Sequence, residues 1–297
     1  MTGVQKIEHA HLAVQNLEEA TAFFKDAVGL VELCEEDGTI YFGCGLDSNY
    51  DLAISDGGTG VRHFAVRVPD VETIEKYEAT LEKENVACSR TDGDEPNQEY
   101  GVRFSLPTGI DMEFVSVSDR NYRHEVDPAK DRSPIAPIDL DHITLRLLDV
   151  QPNAVFLQDV LDFHISDVRE TSQGFWRQAF TRFGDYHHDI AMFSGSNRDE
   201  TLHHLAFTMR DIGHLKTFCD TVAAAGFEVE VGIGRHNAGS NLFIYVRGPG
   251  GNRYEFCAEA ATLDNSTATA YEDRTSIDQV SAWGGIHAPK SFKSEGS

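Results

Sequence analysis

The stretch "GRHNAGSNLFIYVRGPGGNRYEF" (residues 234–256) predicts two β-strands joined by a tight turn. Its β-branched and aromatic run "LFIYV" is typical of a strand, and "RGPGGN" supplies the glycines and proline of a turn. Glu255 lies between Tyr254 and Phe256, so it is expected to point toward an apolar interior. Burying a carboxylate costs roughly several kcal/mol unless a positive charge compensates it. The hairpin therefore predicts a cation beside Glu255.

The segment before this hairpin completes a repeating unit. "LHHLAFTM" predicts a strand, and "DIGHLKTFCDTVAAAG" predicts a helix with Leu215, Phe218 and Val222 on one buried face. A strand, a helix and about three further strands recur four times, and the copies open with "IEHAHLAV", "VRHFAVRV", "LDHITLRL" and "LHHLAFTM". Four such copies predict an α+β fold of two domains, each of paired βαβββ modules.

The copies also divide the chain. Residues 1–117 are predicted to hold the N-terminal pair of modules, and residues 139–260 the C-terminal pair. Between them, residues 118–138 are polar and carry three prolines, which is typical of a linker. Residues 261–297 lack the repeating pattern, and we expect this tail to pack on the domains without forming one of its own.

The composition excludes several classes of partner. The chain has 297 residues, 40% of them hydrophobic, and a formal net charge of −24. Nucleic acids and anionic membranes require a cationic surface, so neither is an expected partner. No apolar run approaches the roughly 18 residues of a membrane span, and the N-terminus does not resemble a secretory signal. Five scattered cysteines without a paired motif predict reduced thiols and a cytoplasmic location.

Three polar residues recur at equivalent positions of the C-terminal copies. His142 and His204 lie on the first strands of the third and fourth copies, and Glu255 lies on a last strand. Two imidazoles and a carboxylate form the facial triad of mononuclear non-haem iron(II) sites. The N-terminal half has the same residue types at the matching places, so the triad alone does not decide which half is active: His9, His63 and Glu113.

Further acid–base residues favour the C-terminal half. His188, His236 and Tyr245 belong to this half alone. Their N-terminal counterparts are predicted near Tyr50, the "DEPNQ" loop and Phe104. The N-terminal half is therefore interpreted as a degenerate scaffold, with metal binding by its own histidines and Glu113 left as the alternative.

With these residues in place, the sequence resembles the extradiol ring-cleaving dioxygenases of the vicinal oxygen chelate superfamily, of the catechol 2,3-dioxygenase type. The resemblance covers nearly the whole chain. The family's signature is matched by Gly234, His236, Ile244, Tyr245, Pro249, Gly251 and Glu255, while Gly248 departs from it. The resemblance implies His142, His204 and Glu255 as metal ligands and His188 as the acid–base residue. It further implies that Tyr245 hydrogen-bonds a substrate oxygen and that His236 lines the substrate side, with His187 and His203 as supporting neighbours.

The resemblance also implies an activity. A catechol or substituted catechol is cleaved by dioxygen beside its two hydroxyl groups, at Fe(II), although the same ligands also suit Mn(II). A homotetramer is the expected assembly. Phe180, Phe243 and Trp176 are predicted to form an apolar pocket wall, which favours a plain, alkyl-substituted or aryl-substituted catechol. Arg235, Arg247 and Arg253 are the alternative, either as partners of a carboxylated substituent or simply as surface residues. A glyoxalase-like isomerase or transferase and a metal-free binding protein remain the alternatives, because one fold hosts many functions.

Overall fold

The computed structural model describes residues 3–117, 130–263, 272–273, 281–284 and 288–297. Most of the predicted linker, 118–138, and much of the predicted tail, 261–297, lie outside these described residues.

The first half forms one eight-stranded sheet. Its strands are β1 (Lys6–Val14), β2 (Val31–Glu36), β3 (Thr39–Gly43), β4 (Leu52–Asp56), β5 (Gly60–Arg67), β6 (Cys88–Thr91), β7 (Gln98–Ser105) and β8 (Asp111–Val117). They lie in the order β2-β3-β4-β1-β5-β8-β7-β6. The two modules therefore meet at β1 and β5, which pair antiparallel at the centre of the sheet.

The second half repeats this arrangement in a nine-stranded sheet. Its strands are β9 (Asp139–Leu147), β10 (His164–Glu170), β11 (Trp176–Arg182), β12 (Ile190–Ser194), β13 (Leu202–Thr208), β14 (Val229–Arg235), β15 (Leu242–Arg247), β16 (Arg253–Ala258) and β17 (Glu272–Asp273). Their order is β14-β15-β16-β13-β9-β12-β11-β10-β17, and β9 and β13 pair antiparallel at the centre. The predicted fold of paired βαβββ modules is confirmed in both halves.

One helix follows the first strand of each module. These helices are α1 (Leu17–Ala22), continued by a π-helical segment (Phe23–Val28), α2 (Val71–Lys83), α3 (Gln151–Asp159) and α4 (Ile212–Ala224). Asn16, Asp70 and Asp211 cap three of them by accepting a hydrogen bond from the backbone N–H three residues later. A short helix, α5 (Lys290–Ser294), lies near the end of the chain. None of the helices in the described residues is long and apolar enough to span a bilayer.

The two halves share one apolar core and several polar contacts. Asn252 donates to the Ala13 carbonyl at 2.8 Å and accepts from the Gly60 N–H at 2.9 Å. Lys6 and Asp139 form a buried ion pair across the same junction. These contacts fix the relative position of the two sheets, whose central strands carry His9, His63, His142 and His204.

Candidate metal centre

The structure brings His142, His204 and Glu255 together in the C-terminal half. Strands β9, β13 and β16 are neighbours in the sheet, and each contributes one of these side chains. The Nε2 atoms of the two histidines are 3.1 Å apart, and Glu255 Oε2 lies 3.3 Å from His142 Nε2 and 3.0 Å from His204 Nε2. All three side chains are buried.

The spacing of these donor atoms fits a metal ion. Three donors that bind one face of an octahedral ion at about 2.2 Å lie about 3.1 Å apart. The three separations in the structure, from 3.0 to 3.3 Å, agree with that triangle. Two imidazoles and one carboxylate are also the donor set of the facial triad that holds mononuclear non-haem iron. The residues present therefore fit a single transition-metal ion.

Hydrogen bonds at Nδ1 orient both histidines so that each Nε2 points into the donor triangle. Asp141 Oδ1 lies 2.7 Å from His142 Nδ1, so His142 donates from Nδ1. His203 donates from Nε2 to the Phe292 carbonyl at 3.0 Å, which leaves its Nδ1 as an acceptor. His204 Nδ1 lies 2.6 Å from that acceptor and donates to it. Through His203, the backbone carbonyl of Phe292 in α5 thus determines the tautomer of the candidate ligand His204.

The carboxylate is held ionised and in a fixed orientation. Although burial acts to raise it, hydrogen bonds with His142, His204 and His236 hold the pKa of the Glu255 carboxyl well below its usual range. Asn241 donates to the other oxygen, Oε1, at 3.0 Å. Burial lowers the pKa of His204 to about 4, so that imidazole is neutral at physiological pH. Although burial acts to lower it, hydrogen bonds with Asp141 and Glu255 raise the pKa of His142 to about 10, so an ion displaces a proton from His142 Nε2 when it binds.

His188 lies beside this donor triangle, before strand β12. Its ring centroid is 4.3 Å from that of His142. His187 connects it to a buried acid, since His187 Nδ1 is 3.0 Å from His188 Nδ1 and His187 Nε2 is 2.8 Å from Asp167 Oδ2. Burial, with the nearby His142 and His187, lowers the pKa of His188 well below its ordinary value. A neutral imidazole at this place has the capacity to accept a proton.

His236 and Tyr245 occupy the opposite side of the triangle. His236 Nε2 is 2.9 Å from the Tyr245 hydroxyl and 3.4 Å from Glu255 Oε1, and its ring stacks on Phe243 with centroids 3.8 Å apart. Burial and the Glu255 charge raise the pKa of Tyr245 well above its usual value. The phenol therefore keeps its proton and is available as a hydrogen-bond donor.

The donor triangle opens into a cavity of about 550 Å³. The six predicted site residues all line it: His142, His188, His204, His236, Tyr245 and Glu255. Of the predicted wall, Phe180 lines the cavity and Phe243 lies behind His236, whereas Trp176 is not among the lining residues. Phe193 and Phe292 complete the apolar wall instead.

The three arginines that form the alternative for a carboxylated substituent do not line the cavity. Arg253 is buried against Glu230 at 2.7 Å, Arg235 pairs with Glu259 at 2.7 Å, and Arg247 contacts the Gly251 carbonyl. The cavity has other arginines, among them Arg146, which is paired with Glu200. Charge alone in the sequence did not distinguish a pocket arginine from one neutralised by a neighbouring strand.

Sequence reasoning also missed residues that support the site. Asp141 and Asn241 hold His142 and Glu255, and neither belongs to a recognisable spacing. In the N-terminal half, Tyr50 stacks on His9 with ring centroids 4.4 Å apart, in the place where the tilted His188 ring contacts His142. The predicted N-terminal counterpart of Tyr245, Phe104, is wrong by one residue. Tyr245 faces Glu255 in the strand register, and the residue that faces Glu113 in the same way is Arg103.

A two-domain fold of βαβββ modules with one two-histidine, one-carboxylate set beside a cavity defines a class of mononuclear metal-site proteins. Residues 6–114 and 139–256 match the family described as the Glyoxalase/Bleomycin resistance protein/Dioxygenase superfamily, and the chain belongs to that family.

Individual relatives agree with this assignment. The chain is 25% identical over 265 residues to the manganese-dependent 2,3-dihydroxybiphenyl 1,2-dioxygenase of Geobacillus genomosp. 3, covering 85% of this chain and 84% of the relative. It is 25% identical over 274 residues to the metapyrocatechase of Geobacillus stearothermophilus, covering 88% and 82%. Its structure matches that of the 2,3-dioxygenase LapB from Pseudomonas sp. KL28 with a TM-score of 0.82 and 28% identity, covering 92% and 97%.

Proposed function

We propose that the chain is an extradiol dioxygenase, which opens the ring of a catechol beside its two hydroxyl groups with dioxygen. The observation that carries the proposal is the donor triangle of His142, His204 and Glu255, open to a cavity that three further acid–base side chains line. One relative and one solved structure that match most of the chain are dioxygenases by name, which supports the same reaction.

The resident ion is proposed to be Fe(II), held by the two Nε2 atoms and Glu255 Oε2. Mn(II) suits the same donors, and one relative is a manganese-dependent enzyme. When bound, such an ion would supply a redox centre that relieves the spin restriction on the reaction of a catechol with dioxygen. Proton transfer and the stabilisation of negative charge are proposed to come from side chains of this chain.

His188 is the proposed acid–base residue. Its imidazole is neutral, lies beside His142 and faces the cavity, so it is placed to take a proton from the bound diol and return it when the ring opens. The His187–Asp167 pair holds the ring in position through Nδ1. Nε2 of His188 is then the atom that exchanges the proton.

Tyr245 and His236 are proposed to stabilise negative charge on the substrate oxygen opposite His188. The Tyr245 hydroxyl donates one hydrogen bond, and its raised pKa keeps that proton on the phenol. His236, stacked on Phe243, is held in a single orientation at the rim of the cavity. Fixed donors of this kind are effective because they need no reorganisation during reaction.

The preferred substrate is proposed to be a plain catechol or one with an alkyl or aryl substituent. Phe180, Phe193 and Phe292 form an apolar side of the cavity, and about 550 Å³ accommodates a substituted ring. Arg146, the arginine nearest the end of α5, is neutralised by Glu200 and also donates to the Ser294 carbonyl. An anionic substituent would therefore find Arg146 already paired, and the other cavity arginines, Arg169 and Arg177, make a carboxylated catechol the informative comparison substrate.

The oligomeric state, the cellular location and the domain boundaries are also proposals. We infer a homotetramer in the cytoplasm, for which the five cysteines, free in the described residues, are one support. The domains are proposed to span residues 1–117 and 139–260, with a linker at 118–138 and a tail at 261–297. The tail's described residues cover the catalytic half, since Leu263 donates to the Asp185 carbonyl and Phe292 lines the cavity.

An oxygen electrode tests this function with protein reconstituted anaerobically with Fe(II). Catechol and its alkyl, aryl and carboxylated derivatives are supplied in turn, and oxygen loss is matched to the ring-cleaved product. We expect uptake with catechol and with the apolar derivatives, slower uptake with the carboxylated one, and none for H204A. Absence of uptake with every catechol at full iron loading contradicts the proposed function and favours an isomerase of the same fold.

A further inference from the structure

The N-terminal half contains a second cluster of metal-ligating side chains at matching strand positions. His9 lies on β1, His63 on β5 and Glu113 on β8, and Glu95 reaches the group from the loop before β7. The Nε2 atoms of His9 and His63 are 3.3 Å apart, and Glu95 carboxylate oxygens lie 3.3 Å from each of them. These separations are close to those of the C-terminal triangle, so the donors are arranged for an ion.

One residue distinguishes this cluster from its C-terminal counterpart. Arg103 on β7 faces Glu113 in the strand register, where Tyr245 faces Glu255 in the other half. Its Nη2 atom lies 2.7 Å from Glu113 Oε2, 3.4 Å from Glu95 Oε1 and 3.2 Å from His63 Nε2. The guanidinium therefore touches three of the four donor residues.

Arg103 supplies the charge that an ion supplies in the other half. Glu113 is fully buried, and a buried carboxylate requires a cation and hydrogen-bond donors. Arg103 is the cation, while Thr91 and Gln98 donate to Oε1. Glu95 accepts a hydrogen bond from the Tyr50 hydroxyl at 2.6 Å and contacts both histidines. The cluster is thus satisfied without a metal ion.

We propose that His9, His63, Glu95 and Glu113 form a second divalent transition-metal site that the Arg103 guanidinium fills and closes. The chain then takes an ion in the C-terminal half alone, and a second ion binds only when the Arg103 charge is removed. The positive charge of Arg103, in contact with His63 Nε2, repels any metal ion at this site, because Coulomb repulsion is weakly screened where the groups are buried. The Arg103 side chain is 27% exposed, so solvent and ions reach the cluster once the guanidinium is gone.

The test counts Co(II) ions bound by the full-length chain and records the cobalt absorption bands. Arg103→Gln removes the charge, and Arg90→Gln is the matched control, because Arg90 lies on the adjacent strand β6 and pairs with Glu78, which is outside the cluster. We expect R90Q to match the unsubstituted chain and R103Q to bind one further equivalent. Adding H63A to R103Q should abolish that equivalent, whereas adding H204A should abolish the other one.

The counts separate this proposal from the proposed function. A failure of the C-terminal site lowers every count by one equivalent and leaves the difference between R103Q and R90Q intact. A second equivalent in the unsubstituted chain contradicts the closing role of Arg103. Equal counts for R103Q and R90Q contradict the site itself.

Folding of the variant is part of the test. Without its cation, Glu113 is buried unpaired, so R103Q is expected to unfold at a lower temperature than R90Q and to regain that loss when Co(II) is added. R103K, which keeps a positive charge, should bind no further ion and show no such recovery. If R103Q remains unfolded with Co(II) present, the ion does not replace the guanidinium and the proposal is overturned.

Discussion

Replacing Asp141 by asparagine should weaken ion binding at the C-terminal site without removing a ligand. Asp141 Oδ1 accepts a hydrogen bond of 2.7 Å from His142 Nδ1, and its Oδ2 accepts one of 2.9 Å from Thr208. A hydrogen bond to a charged group contributes about 1.5–3 kcal/mol, and one between neutral groups about 0.5–1.5 kcal/mol. The asparagine oxygen retains the neutral bond, so D141N loses roughly 1.4 kcal/mol, which is about a tenfold weaker ion affinity.

The assay is an anaerobic Mn(II) or Fe(II) titration, followed by turnover at saturating ion. For D141N we expect the tenfold loss of ion affinity, whereas kcat at saturating ion should stay within about twofold of that of the unsubstituted chain, because the donor atoms themselves are unchanged. T208V removes only the outer hydrogen bond and should cost about threefold in affinity. D167N serves as the control, since Asp167 is another buried carboxylate of the same half that contacts His187 and not a ligand. An unchanged affinity in D141N, or an equal loss in D167N, would refute the reasoning.

Three further perturbations test other parts of the structure. H188F should retain ion and catechol binding but lower kcat by about 10²–10⁴-fold, because the proton acceptor is lost; an unchanged kcat excludes that role. F292A should raise KM for aryl-substituted catechols by about tenfold and leave ion affinity intact, since its ring, 4.7 Å from that of Tyr245, is removed while its carbonyl remains. Burial, opposed by Lys6, raises the pKa of Asp51 to about 7, so the folded chain keeps a proton that the unfolded chain releases above about pH 4. In urea unfolding, the stability of the unsubstituted chain minus that of D51N should decline from about pH 4 to about pH 7 by about 1 kcal/mol per pH unit or less, because the two chains share all other titrating groups.

The repeated modules were predictable from the sequence because their signals are local. Each copy alternates apolar residues on its first strand and follows them with an amphipathic helix, and these periods depend on the chain segment alone. The positions of His142, His204 and Glu255 follow from the same repeat. The strand order within the sheet then brings these residues together. The candidate ligands could therefore be predicted without knowing how the side chains pack.

The residues that support the site were not predictable in this way. Asn241 reaches Glu255 across two strands, and Phe292 reaches the cavity from a segment without a repeat pattern. Arg103 and Arg253 look alike in the sequence, yet one contacts Glu113 and the other Glu230. Such pairings depend on strand register, and a shift of one residue reverses which side chains face each other.

The N-terminal cluster shows how one substitution separates two similar sites. Both halves hold two histidines and a buried glutamate on corresponding strands. A tyrosine beside the glutamate leaves its charge to be met by an ion, and an arginine meets that charge itself. In the proposal above, Arg103 keeps an ion out of the N-terminal half, whose described residues also lack counterparts of His188, His236 and Tyr245.

The central claim is that the C-terminal site cleaves a catechol beside its hydroxyl pair, and the structure of the product tests it most directly. Iron-loaded protein is given one substituted catechol under oxygen, and the product is identified by NMR together with the oxygen consumed. We predict one molecule of oxygen per catechol and a semialdehyde or keto acid opened beside the two hydroxyl carbons. A dicarboxylic acid from cleavage between them, or an isomer formed without oxygen, would contradict the account.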